Sequence, residues 1–326
     1  MINRLFIYQG TSFDPHYNLA VEKRLLESVE PGCCILYLWQ NQNTVVIGKN
    51  QNAWKECRTA LLNEEDGTLA RRLSGGGAVF HDLGNLNFTF LMPQAEYDLD
   101  RQFAVITEAV GLLGVQAERS GRNDVLSEGR KFSGNAFYKN GKQAYHHGTL
   151  LVDVDMDKLS RYLNPSKAKL QAKGVDSVRS RVVNLKEMNP EITIEKLKAA
   201  MATAFEKVYA LPCSMLDDQM LDRDAIELLR QRNASWDWNY GPRLPFSVEF
   251  EERFPWGGLQ ICLQIENGHV LRATVYSDAM DWSVAPKLEE LLTGCRFAKT
   301  DLISRARGLD SEFADSVCAM IEQQDL

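Results

Sequence analysis

The sequence predicts an α+β fold in two units, and three observations carry that prediction. Amphipathic helical patterns alternate with apolar strand-like runs in no regular βαβ rhythm, which favours a mixed β-sheet over a doubly wound parallel one. The chain has 326 residues, 44% of them hydrophobic, enough for two cores. Glycine and prolines gather in YGPRLP at 240–245, the composition of a linker, so the units are expected at residues 1–244 and 245–326.

Residues 4–8 read as a short strand. Asp14 and Pro15 then supply a helix N-cap and a proline at the first helical position, and Tyr17, Val21, Leu25 and Val29 recur at i+4 along a helix ending near Pro31 and Gly32. On that helix Asn18 and Glu22 lie four apart and, by pattern alone, read as two solvated polar side chains. Residues 33–39 and 44–47 are nearly continuous apolar runs separated by QNQN, the pattern of a hairpin. Residues 52–62 read as helix, and 100–113 as an apolar-rich helix stopped by Gly114. From 115 to 153 the period changes to strands punctuated by SEGR and KNGK turns. A short helix closes at 159–162 before Asn164 and Pro165, and amphipathic helices follow at 194–209 and 216–232. Beyond the junction, 248–254, 259–265 and 270–276 alternate as strands, and 285–292 and 313–323 carry helical patterns.

The chain is organised around residues 71–87, RRLSGGGAVFHDLGNLN. Gly75, Gly76 and Gly77 leave a backbone without side-chain shield, so its N–H groups are open to close approach by another molecule. Apolar runs on both sides hold the loop between strands, and Arg71 and Arg72 offer guanidinium forks suited to carboxylate or phosphate. The loop matches neither GK[ST] nor G-x-G-x-x-G, so it is an anion loop of a less common kind.

A second constellation, SGRNDVLSEGRKFSG, brings Arg122, Asn123 and Asp124 to one side of a turn and Lys131 to the other. On adjacent strands Asp124 and Lys131 face one ligand: the ammonium stabilises developing phosphoryl charge, and the carboxylate is a candidate for Mg²⁺. His146 and His147 are adjacent and therefore point to opposite faces of a strand, which argues against zinc and for core or pocket-lining roles. Ser74, His81 and Asp82 lack the G-x-S-x-G elbow of a nucleophilic hydrolase. The basic run at 166–185 contains Gly174 and little helical period, and reads as a loop able to fold over an anion.

Lys and Arg total 37 against 44 Asp and Glu, a net charge of 37 − 44 = −7, which disfavours a nucleic-acid partner. Seven cysteines without C-x-x-C spacing point to reduced thiols in the cytoplasm, and no stretch approaches the roughly 18 apolar residues of a membrane span.

RRLSGGGAVFHDLGN, SGRNDV, RKFSGNAF, HHGTLL and KGVDSVRSRVVNL, in that order, resemble the lipoate-protein ligases of the large two-domain bacterial type, in the biotin/lipoate ligase superfamily. DPHYNLAVEK, TVVIGKNQNAWKEC, SWDWNYG and ERFPWGGLQ extend the likeness over nearly the whole chain, weakening after Asp278. The resemblance implies a mixed-sheet catalytic domain of the biotin/lipoate ligase type with a small C-terminal α+β accessory domain. It implies that lipoate and ATP, with Mg²⁺ as part of the substrate complex and no tightly bound prosthetic group, give lipoyl-AMP and pyrophosphate. The lipoyl group then passes to a lysine on lipoyl domains of 2-oxo acid dehydrogenase complexes or on the glycine cleavage H protein. By the same resemblance Arg72, Gly77, Ala78, Val79, Phe80, Asn123, Asp124, Lys173 and Arg181 contact ATP. Asn18, Leu19, Gly75, Gly76, His81, Asn85 and His147 contact lipoate, and Lys131 serves both; Asp124 is the candidate for Mg²⁺ on the chemistry of its carboxylate, not on the resemblance. The expected state is a monomer.

Two other readings belong to the same superfamily and one to a different class. An ATP-independent octanoyltransferase of the lipoyl-synthesis branch would carry its cysteine after an Asn-Pro pair; here Asn164-Pro165 is followed by Ser166. A biotin ligase would carry a basic GRGRxG-type loop in place of RRLSGGG. A non-catalytic lipoate or lipoyl-domain binding protein would have no need to retain Arg72, Asp124 and Lys131 together.

Overall fold

The structure, a computed structural model, describes residues 1–163, 182–217, 221–241 and 247–324. In chain order it runs β1 (Arg4–Gln9), α1 (Pro15–Ser28), β2 (Cys33–Trp39), β3 (Thr44–Ile47), α2 (Ala53–Glu56), α3 (Thr59–Glu64), β4 (Thr68–Arg71), β5 (Val79–His81), β6 (Asn85–Pro93) and α4 (Leu99–Leu112). It continues through β7 (Glu118–Ser120), β8 (Asp124–Ser127), β9 (Arg130–Lys139), β10 (Gln143–Leu151), α5 (Met156–Tyr162), α6 (Leu185–Met188), α7 (Ile194–Tyr209), β11 (Cys213–Met215), α8 (Arg223–Ala234) and α9 (Trp236–Tyr240). The last part holds β12 (Val248–Phe254), β13 (Gly257–Glu266), β14 (His269–Ser277), α10 (Val284–Leu292), α11 (Lys299–Ala306) and α12 (Ser311–Glu322).

The main sheet has the order β11-β1-β2-β6-β10-β9-β8-β7. It is mixed: β1 runs parallel to β2 and β11, whereas β2 with β6, β6 with β10, and β10 with β9 are antiparallel. The continuous apolar character of β2 follows from burial on both faces. Cys34, Leu36 and Leu38 join Phe88, Phe90, Phe103 and Phe205 under α4 and α7. Cys33, Ile35, Tyr37 and Trp39 face the other way and pack with Leu19, Val21, Leu25 and Leu26 of α1. Alternation along β6 and β10 therefore divides the sheet into a dry face and a face that carries polar groups.

The expected hairpin at 33–47 does not form. β2 pairs with β6, and β3 leaves for a separate three-stranded sheet, β4-β3-β5. Each strand satisfies its ladder with a partner distant in sequence, which the polar QNQN spacing does not reveal. The helix expected at 52–62 is two short ones, α2 and α3, interrupted at Cys57. The helix expected from 216 starts only at Arg223, where Asp222 caps the amide of Ala225. α11 was not foreseen.

The C-terminal strands form an antiparallel β12-β13-β14 sheet with its own apolar cluster, built from Leu259, Ile261, Leu263, Val275, Leu288, Leu302, Val317 and Ile321. Among the described residues no helix is long and apolar enough to cross a membrane.

Candidate functional site

A cavity of about 530 Å³ lies where the polar face of β6, β10 and β9 meets the glycine loop. A more open depression of about 840 Å³ by Phe13, Asp66 and Asp82 is lined by none of Gly75, Gly76, Gly77 and Lys131. The chemistry gathers in the former.

The loop is pinned at both ends because β4 and β5 both pair with β3. Its arginines act from inside rather than as free forks. Arg71 donates to the carbonyls of Gly48, Lys49, Gln51, Trp238 and Asn239 at 2.5 to 3.1 Å. Arg72 turns onto Ser74 Oγ and the carbonyls of Val46, Gly75 and Gly77. Both side chains are buried, and a buried guanidinium without partners would be costly, so the carbonyls take the place expected of an external anion. Burial lowers both to about 10, which leaves them charged at neutral pH. Arg71 does not line the cavity, whereas Arg72 does.

Lys131 owes its position to a β-bulge. Asp124 pairs with Gly134 and Val125 with Ser133, but Leu126 pairs with Lys131, so one extra residue of β9 shifts the alternation. Phe132 goes into the dry core and Lys131 onto the cavity side, its Nζ 2.6 Å from Asp124 Oδ1. Gly134 makes room: a Cβ there would stand 3.0 Å from the Lys131 Nζ.

The two histidines divide as their adjacency predicts. His146 enters the aromatic core beside Phe88, Phe90, Phe103 and Phe137, and burial holds its pKa well below 6.5. His147 lines the cavity, with Nδ1 2.8 Å from Glu22 Oε1 and Nε2 2.8 Å from Ser74 Oγ. Glu22 also accepts from Thr89 Oγ, which in turn accepts from Trp39 Nε1. Far from being solvated, Glu22 and Asn18 are 1% and 0% exposed. The helix pattern gave no sign of this because the partners lie on distant strands.

Asn18 heads a second chain of bonds. Its amide nitrogen donates to the carbonyls of Ser12 and Gln40 and to Asn41 Oδ1, so Asn41 Nδ2 is the donor to His81 Nδ1 at 3.1 Å. The His81 proton then sits on Nε2, which has no protein partner, and burial lowers this imidazole to about 3. Asn85 donates to Asn87 Oδ1, leaving Asn87 Nδ2 likewise unpartnered. Leu19, Trp39 and Val46 supply apolar wall.

The C-terminal part closes the cavity, which the sequence did not signal. Arg253, Trp256, Gly257, Asp278 and Met280 all line it. Gly76 donates its amide to Ala279 O at 3.0 Å, Ser277 to Asn50 O at 2.9 Å, and Asn50 Nδ2 to Trp282 O at 2.6 Å. Gly76 holds φ +87°, a conformation suited to glycine. Trp282 stacks on Tyr138 and carries the Lys49 ammonium 3.8 Å above its ring.

Of the residues that the resemblance assigns to ATP or lipoate, Leu19, Arg72, Gly76, Gly77, Ala78, Val79, His81, Asn123, Asp124, Lys131 and His147 line this one cavity. Four do not. Asn18 stands behind His81, Gly75 packs against the carbonyls of Ala279 and Met280, Asn85 lies behind Asn87, and Phe80 is buried against Tyr162. Lys173, Arg181 and most of the basic run lie outside the described residues. Glu22, Asn87, Trp39 and the C-terminal lining residues were missed. Among the described residues no group of three or more His, Cys, Asp or Glu is placed to hold a metal ion.

Mixed sheet, glycine loop, bulge lysine and small C-terminal unit together define a protein of the lipoate-ligase fold. The chain belongs to the family described as the lipoyl protein ligase A/B catalytic domain, whose profile matches residues 14–206. The bacterial lipoate protein ligase C-terminus matches residues 243–322. P. falciparum LipL1 in complex with lipoate is 28% identical, with TM-score 0.86 over 99% of this chain and 100% of that one. The bipartite lipoate protein ligase of Thermoplasma acidophilum, solved in a study of that ligase and its E2 lipoyl domain, is 24% identical with TM-score 0.65, covering 76% of this chain and 100% of its own. A lipoate-protein ligase A bound with ATP is 23% identical with TM-score 0.63, covering 74% and 99%. The last two likenesses concern the fold.

Proposed function

We propose that this chain is an ATP-dependent lipoate-protein ligase. It activates lipoate to lipoyl-AMP with release of pyrophosphate and transfers the lipoyl group to a lysine of a lipoyl-domain protein or the glycine cleavage H protein. The observation that carries the reading is the Lys131–Asp124 pair at one side of a cavity whose other side is walled by Leu19, Trp39 and Val46. A carboxylate at Lys131 with its acyl chain along the wall satisfies both halves.

The chemistry demands such a site. Joining a carboxylate to a phosphate sets two anions side by side, and a fixed ammonium offsets their repulsion both as the anhydride forms and as the amine attacks it. Arg122 and Arg253 add positive charge on the same lining, and the half-buried loop backbone at Gly77 and Ala78 lies on it too, a kind of segment suited to phosphate oxygens. Mg²⁺ arriving with ATP takes most of its ligands from phosphate and water, so a single carboxylate, Asp124, is sufficient on the protein side.

A thioester route finds little support: all seven cysteines are free, and none lines the cavity. Free thiols throughout suit a cytoplasmic protein. LipL1, the relative at 28% identity, binds lipoate, which favours lipoate as the acid here. We place the division between catalytic and accessory units at 244/245 and take the working form as a monomer.

Lipoate-dependent exchange of labelled pyrophosphate into ATP, with no acceptor present, tests the proposal. Exchange that requires lipoate is the expected result; its absence with an intact, folded protein overturns the reading.

A further inference from the structure

Two nearly buried hydrogen-bond donors face the cavity without a partner. The first is His81 Nε2–H, whose polarity is fixed through Asn41 and Asn18 by the two carbonyls that Asn18 serves. The second is Asn87 Nδ2, with its own oxygen engaged by Asn85. The side chains are 3% and 1% exposed, and both residues line the cavity beside Trp39.

Their placement relative to Lys131 is set by the sheet. Asn87 of β6 is directly opposite Thr149 of β10, and the Thr149 hydroxyl accepts the amide of Gly134 on β9, beside the Lys131 Nζ. Two inter-strand steps separate the strand of Lys131 from that of Asn87, about 10 Å. That span matches lipoate as a whole, extended from its carboxylate oxygens to the far side of its dithiolane ring.

We propose that His81 and Asn87 select the tail of the bound acid, favouring a sulfur-bearing ring over a plain alkyl chain. This rests on the lipoate-ligase reading and adds to it a basis for choosing between acids. Divalent sulfur, here that of the dithiolane disulfide, is a weak acceptor, and like the sulfur of methionine it packs well against an aromatic ring such as Trp39. A saturated tail in the same place displaces water from the two N–H groups and returns nothing. Sites built to hydrogen-bond a group reject the analogue that lacks it, because the buried donors are left bare.

Calorimetric titration of the whole protein with lipoate, octanoate and 8-hydroxyoctanoate, without ATP, tests the proposal. Lipoate is expected to bind about tenfold more tightly than octanoate. 8-Hydroxyoctanoate is expected to bind more tightly than octanoate, the opposite of the order an apolar pocket imposes. Asn87→Leu is expected to bring the lipoate and octanoate affinities together, chiefly by strengthening octanoate. Equal affinities for all three acids in the unaltered protein, or a weaker hydroxy acid, overturn the proposal while leaving the ligase reading intact. The hydroxy acid requires no substitution, so that outcome is decisive even if Asn87→Leu does not fold. Failure to bind any of the acids overturns the ligase reading itself.

Discussion

The ammonium of Lys131 lies 2.6 Å from Asp124 Oδ1 across neighbouring strands, the two side chains 33% and 37% exposed. The pair is thus open to a ligand on one side, and an incoming anion competes with Asp124 for the same ammonium. Lys131→Ala is expected to lower lipoate-dependent pyrophosphate exchange by on the order of 10²- to 10³-fold. Single-turnover transfer from preformed lipoyl-AMP should fall as well, because in the proposed reaction both halves pass through the same charge. A variant that loses exchange but transfers at the normal rate would refute the dual role. Asp124→Asn should shift the Mg²⁺ dependence of exchange to higher concentration while leaving the calorimetric affinity for lipoate nearly unchanged.

Glu22 is the keystone of the cavity floor, accepting from His147 Nδ1 and Thr89 Oγ, both at 2.8 Å. Removing its carboxylate leaves two buried groups without a partner, each worth about 1–3 kcal/mol. Glu22→Ala is therefore expected to destabilise the fold by about 3 kcal/mol, read as a lower urea midpoint at unchanged slope. A loss under about 0.5 kcal/mol, the scale of surface substitutions, would show that the floor does not depend on it.

Much of this fold was legible because its signals are local. Asp14 before Pro15 caps a helix where the sequence says it should, the amphipathic period of 194–209 gives α7, and the alternation of 248–276 gives three antiparallel strands. What was hidden depends on distant partners. Glu22 is buried only because Thr89 and His147, 67 and 125 positions away, come to meet it. β2 and β3 look like a hairpin until β6 claims one and β4 and β5 the other. The two arginines of RRLSGGG were legible as binders of oxygen, yet whose oxygen is a matter of burial: here it belongs mostly to the backbone around them. Lys131 was found from its neighbours, but the bulge that turns it inward leaves no mark in an alternation pattern.

His81 is held neutral in the folded state, its imidazole lowered from 6.5 to about 3 chiefly by burial. In the unfolded chain it titrates near 6.5, so below that pH the unfolded state takes up a proton that the folded state refuses. This costs the fold about 1.4 kcal/mol per pH unit, continuing until pH falls to about 3. His81→Gln removes the penalty. The stability advantage of the unaltered protein over this variant should narrow by about 1.4 kcal/mol for each unit between pH 6 and pH 4. Denaturant titrations at several pH values give the difference, and a gap independent of pH would show that His81 already carries its proton when folded.

The contact between the glycine loop and the C-terminal unit leaves no room for a methyl group at Gly75. A Cβ there would come within 2.2 Å of Ala279 O and 2.6 Å of Met280 O, both backbone atoms that cannot swing aside as a side chain can. Gly75→Ala must push residues 279 and 280 away and break the bond from the Gly76 amide to Ala279 O. Hydrogen exchange should then quicken at Gly76 and at Ser277, whose amide is held by Asn50, while the β12-β13-β14 amides keep their protection. Gly77→Ala is the matched control, since a Cβ there meets nothing within 4 Å. Equal exchange in the two variants would mean that the loop does not bear on the C-terminal unit, and the closure of the cavity would need another cause.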